Sequence, residues 1–172
     1  MSGQTCYFGL YRGTVQNNID PMRLGRILAL VPDVTGLIST AWAMPCVPVA
    51  GPGSGMFVVP PVGASVWIQY EGGSPDRPVW VGGFWSLPAD VPVLATAGGT
   101  AGAPSVVLQS EGQAALVISN EPGPDGGLLL TSAGGATIRV SDSGIFLDNG
   151  RGASVTLIGP TVTINQGGLE VT

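Results

Sequence analysis

Histidine and lysine are absent from this 172-residue chain, and each absence removes a class of function. Without histidine, no Ser-His-Asp or Cys-His arrangement can form, and the commonest metal ligand is missing. Without lysine, six arginines are the only cationic side chains. A protein that neutralises several phosphates needs a cationic stripe, so the composition argues against nucleic-acid binding. We therefore expect no catalytic site, no cofactor, no metal and no nucleic-acid partner.

Charged residues of either sign are scarce, at 10% of the chain, and they are unevenly distributed. Residues 1–88 hold four arginines and four acids, whereas residues 89–172 hold two arginines and seven acids, so the net charge of −5 belongs to the second half. Mean hydropathy is high, at +0.39, yet the chain has no run of about 18 apolar residues that could span a membrane. We expect the surplus apolar surface to be buried between subunits.

Several other features are inconspicuous. The two cysteines, Cys6 and Cys46, fit neither a metal motif nor a redox pair by their spacing, so we expect buried thiols rather than a disulfide. The N-terminus lacks a basic stretch followed by an apolar segment, which predicts production in the cytoplasm without a secretory signal. The acids fall in turn sequences, where aspartate is expected for its backbone hydrogen bonds, so a pair of catalytic carboxylates is not favoured.

With 28 glycines and 15 prolines, the composition predicts an all-β fold of short strands and turns. The clearest strand signal spans residues 60–85, where Val66, Ile68 and Tyr70 alternate with Trp67 and Gln69. A Gly-Gly-Ser-Pro-Asp turn and a second strand beginning at residue 78 follow, which predicts a hairpin. Both hairpin faces carry large apolar groups. We expect one face to close the core of the domain and the other to meet a second chain.

Three further strands are predicted before the hairpin, in residues 7–16, 24–32 and 39–44, the first with a bulge at Gly13. A proline-rich but ordered connection follows in residues 45–63. Five short strands with one long connection fit a small Greek-key barrel, of which the OB-fold is the commonest form. We assign residues 1–88 to this OB-fold domain and residues 89–104, which are small and aperiodic, to a linker.

Residues 105–172 are repetitive, with about one predicted strand per ten residues, in the segments 106–109, 114–119, 128–131, 136–141, 145–148, 154–158, 161–164 and 169–172. The alternation predicts one apolar face and one small, polar face. Four-residue strands cannot bury an apolar row alone, so three identical chains are expected to wind into an intertwined β-helix or β-prism shaft. The predicted trimer core is Val106, Leu108, Leu116, Ile118, Leu130, Ile138, Val140, Leu147, Val155, Leu157, Val162 and Ile164.

The first half resembles the central spike proteins of contractile phage tails and related injection machines, known as baseplate assembly protein V and, in larger fused form, VgrG. The resemblance covers residues 7–86 and rests on an ordered set of matches: Gly13, Val15, Asp20, Pro21, Gly25, Arg26, Pro61, Gly63, Asp76, Arg77, Pro78, Val79 and Gly82. One departure is Ala64, where many relatives carry an acidic residue that can serve a contact between subunits.

This resemblance implies an OB-fold and a homotrimeric, non-enzymatic spike that joins a baseplate hub to a membrane-piercing tip and reaches its target membrane mechanically. The lysozyme domain and the metal-binding His-x-His of some relatives are absent. The hub is then expected to be a separate protein at the OB-fold end, and a PAAR-like cap to bind Leu169 and Val171 at the C-terminal end. In the first half, the hypothetical contact residues are Trp67, Asp76, Arg77, Trp80 and Trp85.

Two alternatives belong to other functional classes. A trimeric fibre or adhesin tip that binds a cell-surface glycan would have the same β-repeat, but it would keep Trp80 and Trp85 exposed to solvent. An OB module that binds single-stranded nucleic acid would stack bases on the aromatic side chains, although the lack of cations argues against it.

Overall fold

The computed structural model describes residues 5–96 and 105–171, which are almost entirely β-structure. The chain divides into two compact units, Met1–Asp90 and Val91–Thr172. Residues 97–104 of the expected linker lie outside the described residues. No helix in the described ranges is long and apolar enough to cross a membrane. The predicted all-β fold is confirmed.

The first unit is an OB-like half-barrel, as predicted. Its main sheet has the order β2-β1-β6-β7-β3, in which only the β3–β7 pair is parallel, and β4 and β5 form a separate two-stranded ribbon. One helical turn, α1, lies between β2 and β3. The bounds are β1 Tyr11–Asn17, β2 Leu28–Leu30, α1 Pro32–Thr35, β3 Met44–Pro45, β4 Ala50–Gly51, β5 Ser54–Gly55, β6 Ser65–Tyr70 and β7 Pro78–Gly83.

The predicted hairpin is formed by β6 and β7. Ile68 pairs with Trp80 and Trp67 with Gly82, so Val81 is an extra residue that produces a bulge. Val66 and Ile68 are fully buried, and Trp80 lies beside Ile68 in the same core. Alternation within β6 therefore sets which face closes the barrel.

Gly13 is not the bulge that the sequence predicted. It pairs with Val66 in a regular part of the β1–β6 ladder, and the irregularity of β1 lies further on, between Val15 and Asn17. A Cβ atom at Gly13 would lie 3.2 Å from Ile68 Cγ1 and 3.3 Å from a methyl of Val31. A side chain there would have to displace two buried neighbours by a few tenths of an ångström, so glycine suits the close packing of the core at this position.

Two other expectations for the first unit are wrong. The strand expected in residues 39–44 is reduced to isolated bridges at Ser39 and Ala43 and to the two residues of β3. Cys6 and Cys46 are exposed instead of buried. Both cysteines lie outside the strands whose side chains form the core of this unit.

The second unit contains a short helix and one antiparallel sheet whose eight strands follow one another in sequence order. All eight predicted segments are confirmed, with described bounds that differ by at most one residue. The elements are α2 Val93–Thr96, β8 Ser105–Gln109, β9 Ala115–Ser119, β10 Gly127–Thr131, β11 Thr137–Ser141, β12 Gly144–Asp148, β13 Ser154–Ile158, β14 Thr161–Ile164 and β15 Leu169–Val171.

Glycine begins two of these strands for a steric reason. Gly127 and Gly144 have positive φ, and a Cβ atom on either would lie only 2.1 Å from Val140 O or 2.2 Å from Leu157 O. Only glycine lets the neighbouring strand approach so closely. These positions fix where β10 and β12 start and so help to set the register.

Candidate functional site: an uncovered apolar face

The pairing register of β8–β15 aligns aliphatic side chains into two rows on one face of the sheet. Directly paired residues on adjacent strands point to the same side, so each row crosses the sheet without interruption. The first row is Val106, Ile118, Leu128, Val140, Ile145, Leu157 and Val162, and the second row is Leu108, Leu116, Leu130, Ile138, Leu147, Val155, Ile164 and Leu169.

All fifteen residues are Val, Leu or Ile, yet none is buried within a single chain. Leu108 is 53% exposed and Ile138 is 42% exposed, and among the described residues of this unit Ala115 is the only buried hydrophobic one. Fully burying such a side chain contributes about 1.5–3 kcal/mol. A single copy of the sheet therefore has almost no core, and its stability depends on a surface that covers both rows.

All twelve residues of the predicted trimer core fall in these two rows. The sequence reasoning omitted Leu128 and Ile145, which occupy the first row, and it assigned Leu169 of the second row to a tip contact. Ile145 could have been found by continuing the period of two backwards from Leu147. Leu128 could have been found in the same way from Leu130, which the predicted core already included.

The opposite face is less polar than expected. Val107, Val117 and Leu129 pair directly with one another there, and Phe146 lies on the same face two strands further on. Each is the middle residue of three consecutive apolar residues, so alternation places it opposite its two neighbours. The expected small, polar residues, such as Thr156, occupy this face in the later strands.

The turns form two lateral edges of the sheet. The first lateral edge consists of turns 110–114, 132–136, 149–153 and 165–168, and the second lateral edge consists of turns 120–126, 142–143 and 159–160. Turns of the first edge border an open groove, and its floor is the central part of the second row, from Leu130 to Ile164. The groove is thus bordered by polar turns and floored by aliphatic side chains.

Charges on the two lateral edges differ. The second edge carries three acids, Glu121, Asp125 and Asp142, whereas the first edge carries Glu111 and Arg151. Arg139 lies on the polar side of β11 and donates to Pro124 O at 2.8 Å, with Asp125 Oδ1 3.5 Å away. Arg151 is exposed and has no ion pair within the described ranges.

The predicted contact residues of the first unit separate into different environments. Trp80 is buried, and its indole N–H donates to Gly25 O at 3.1 Å. Trp85 is 63% exposed. Asp76 is exposed, and Arg77 is exposed and pairs with Glu71.

Trp67 lies on the opposite face of β6 from the core. Its ring is 4.6 Å from that of Phe84, and the Arg12 guanidinium lies 5.1 Å and 4.7 Å from the two ring centroids. This contact holds one cation over two half-buried aromatic rings. The three side chains cover one another in part, and the expected contact of this face with a second chain stays a prediction.

Asp20 and Arg26 are two of the residues that match the family motif. Among the described residues, they form the only ion pair with a buried carboxylate. The Asp20 carboxylate accepts hydrogen bonds from the backbone N–H groups of Met22, Leu24 and Arg26 and from the Arg26 guanidinium, at 2.6–3.3 Å. The guanidinium beside it, followed by the backbone N–H groups, holds the pKa of Asp20 well below its usual range, against the opposing effect of burial. The pair also places Arg26 5.4 Å from the Trp42 ring centroid.

This arrangement predicts acid sensitivity. A carboxylate whose pKa is depressed in the folded state stabilises the fold when the pH is above its unfolded-state pKa of about 3.9. That contribution is lost as the pH falls below this value. For Asp20→Asn, we expect a lower free energy of unfolding at pH 7. We also expect that free energy to decline less between pH 5 and pH 2 than in the unsubstituted protein. Urea unfolding of the full chain measures both effects. Asp76→Asn, at an exposed turn, is the matched control and should keep the normal decline. An Asp20→Asn protein with an unaltered pH profile would contradict the assignment.

No group of three or more potential metal ligands occurs within residues 5–96 and 105–171. The apolar face of the second unit is therefore the site with the clearest functional consequence. This face can bind another apolar surface. Because its two rows are continuous, it suits a long, straight partner surface that also carries aliphatic rows.

Two family models match the chain. The Type VI secretion system/phage-baseplate injector OB domain matches residues 11–85, and the phage baseplate V C-terminal trimerisation domain matches residues 105–170. We found no match among curated proteins. The first match confirms the resemblance drawn from the ordered motif, and the second covers the stretch that carries the two aliphatic rows.

Proposed function

We propose that this chain, which belongs to the phage baseplate V family of injector spike proteins, is the non-enzymatic central spike that joins a baseplate hub to a membrane-piercing tip. It is a structural baseplate protein with an OB domain and a trimerisation domain. What the proposal adds is the mechanical role and the shape of the trimer. The observation that carries it is the pair of uncovered aliphatic rows.

Three copies of the sheet fit together as a triangular prism. A five-residue strand is about 17 Å long and eight strands at about 4.8 Å spacing extend over about 34 Å. A triangle with sides of about 17 Å places each sheet about 5 Å from the central axis, which is half of the roughly 10 Å at which sheets pack face to face. One layer of aliphatic side chains from each copy therefore fills the interior, with the strands perpendicular to the axis.

Such a prism is suited to transmitting force. Each aliphatic row runs parallel to the axis, so bending the shaft would have to open apolar contacts along its length. The backbone ladder of each copy runs in the same direction, because consecutive strands are hydrogen-bonded along the axis. Sheath contraction supplies the work in this mechanism, and the spike contributes stiffness without an active site.

The contacts at the two ends of the spike are also part of the proposal. Residues 34–70 of the OB unit contain no charged residue, yet Leu37 and Phe57 in this span are largely exposed. Exposed apolar side chains in a segment without charged residues are typical of the centre of a protein interface, and we assign these two to the contact with the hub. At the other end, β15 pairs with β14 alone among the described strands, and the exposed Leu169 suits a PAAR-like cap. The side chain of Val171 lies outside the described part of the chain.

The test is the mass of the assembled protein. Sedimentation or light scattering of the full chain at micromolar concentration is expected to give about 52 kDa, three times the 17.3 kDa of one chain. A stable monomer at that concentration would contradict the proposal, because the two aliphatic rows would then remain exposed to water.

The glycan-binding alternative requires exposed tryptophans at positions 80 and 85. Trp80 is only 8% exposed and is held by its hydrogen bond to Gly25. This leaves Trp85 without the second stacking surface that the alternative needs. We therefore do not propose an adhesin role.

A further inference from the structure

Closing three copies around one axis brings two different edges of the sheet together. A three-fold rotation is a heterologous arrangement, so the first lateral edge of each copy must face the second lateral edge of the next copy. This step rests on the proposed trimeric spike. It requires no additional assumption about the OB units.

The turns of these two edges are staggered by one strand. First-edge turns join β8 to β9, β10 to β11, β12 to β13 and β14 to β15, whereas second-edge turns join β9 to β10, β11 to β12 and β13 to β14. Rotation about the axis changes no height along it. Each second-edge turn of one copy therefore lies between two first-edge turns of its neighbour, about 4.8 Å from either, and the edges interdigitate.

This stagger gives Arg151 one acidic neighbour. Arg151 lies in the first-edge turn between β12 and β13, so the flanking second-edge turns of the next copy are 142–143 and 159–160. The former contains Asp142, and the latter is Gly159-Pro160, which has no charge. An offset of about 4.8 Å is well within the reach of an arginine side chain.

Both groups are positioned and available. Asn149 Oδ1 accepts hydrogen bonds from Arg151 N at 2.8 Å and Ala153 N at 3.0 Å, which fixes the turn. The Asp142 carboxylate accepts one long hydrogen bond, from Gly123 N at 3.3 Å, and is otherwise exposed. A cation without an ion pair in the described residues thus faces an acid of the next copy.

The remaining charges along this seam have to be considered as well. Turn 110–114 carries Glu111 and is placed against loop 120–126 of the next copy, which carries Glu121 and Asp125. Asp125 already lies beside Arg139 of its own chain.

Asp148, the last residue of β12, is exposed beside the turn of Arg151 and accepts a hydrogen bond from Gly150 N at 2.6 Å. The seam therefore brings like charges together at the β8 end and places Asp148 near Asp142 of the next copy, and among the described first-edge turns Arg151 alone offers a cation to offset them.

We propose that Arg151 of each copy pairs with Asp142 of the neighbouring copy, and that this pair fixes the axial register of the interdigitated turns. Two aliphatic rows alone set the register weakly, because shifting one copy along the axis by two strands still places Val, Leu and Ile against Val, Leu and Ile. The ion pair makes the correct register distinct, since a shifted copy would leave Arg151 without its acid.

A disulfide test measures this geometry directly. Within one chain, residues 142 and 151 lie at opposite ends of β12, about 17 Å apart, whereas a disulfide requires Cα atoms within about 7 Å. We expect Asp142→Cys/Arg151→Cys, in a full chain that also carries Cys6→Ser and Cys46→Ser, to form covalent trimers under oxidation on a non-reducing gel. The matched control is Asp142→Cys/Gln113→Cys, which joins the same two edges but at turns three strand spacings apart, and it should not cross-link.

The outcomes separate this inference from the proposed function. If sedimentation gives a trimer but Asp142→Cys/Arg151→Cys yields no cross-link beyond the control, the register is wrong while the spike proposal stands. If the unsubstituted chain is monomeric, the proposed function is contradicted, and the inference that rests on it is contradicted as well.

Charge reversal tests the ion pair itself. Arg151→Glu should lower the melting temperature of the trimer by a few degrees, and Arg151→Glu/Asp142→Arg should recover most of that loss. A double variant no more stable than Arg151→Glu alone would overturn the pairing.

Discussion

Ile138→Asp is expected to abolish trimer formation and leave the second unit without a stable fold. Ile138 lies in the second row, between Leu130 and Leu147, and 42% of it is exposed in the single chain. In the prism this substitution places three carboxylates around one axis in an aliphatic interior. Even one unpaired buried charge costs several kcal/mol, and three like charges repel one another as well. Sedimentation should show monomer, and circular dichroism should show loss of β-structure while the OB unit remains folded.

The matched control for this variant is Thr156→Asp. Thr156 lies on the opposite face of the same sheet, where it pairs with Phe146 and Thr163, so the same charge is placed on the outside of the prism. Thr156→Asp should remain trimeric with a small loss of stability. If Ile138→Asp is trimeric and Thr156→Asp is not, the two faces have been assigned the wrong way round.

The strands of the second unit could be predicted from sequence because each short segment is bounded by a turn and alternates within itself. Where alternation is clean, as at Ile138-Arg139-Val140, the predicted side of the sheet follows directly. Where three apolar residues are consecutive, as at 106–108 or 128–130, the phase is undetermined within the segment. Only pairing with the neighbouring strand assigns Val107 and Leu129 to the opposite face.

In the first unit, local patterns predicted the hairpin but not the roles of individual residues. Trp80 and Trp85 are equally apolar and lie five residues apart, yet one is buried and the other is exposed. The difference depends on Gly25, which is 55 positions away and accepts the Trp80 hydrogen bond. Gly13 is similar, because Ile68 and Val31, which are distant in the sequence, limit the space for a side chain at this position. Contacts of this kind between distant positions cannot be deduced from a local period.

The proposed interface between copies also could not be predicted from composition alone. The alternation predicted which residues are apolar, but the number of strands and their uninterrupted order determine that two rows run the length of the sheet. The same order creates the one-strand stagger between the two lateral edges. Charge placement then becomes interpretable, since Arg151 and Asp142 are remote within one chain but adjacent around a three-fold axis.

Trp80→Ala is expected to be the most destabilising single substitution of those proposed in the OB unit. Replacing a buried tryptophan by alanine removes about 3–5 kcal/mol, because both the transferred surface and the packing around the cavity are lost. The variant also leaves Gly25 O without its 3.1 Å donor. Against a typical total of about 5–15 kcal/mol, the melting temperature of this unit should fall by roughly 15–25 °C in calorimetry of the full chain.

Trp85→Ala provides the control for that measurement, since it removes the same side chain from a position that is 63% exposed. Its effect on the stability of the OB unit should stay within about 0.5 kcal/mol. Both variants should remain trimeric, because the aliphatic rows of the second unit are unchanged in each. A Trp85→Ala loss as large as that of Trp80→Ala would mean that Trp85 is buried in the assembled protein, and its surroundings would then have to come from another copy or from the hub.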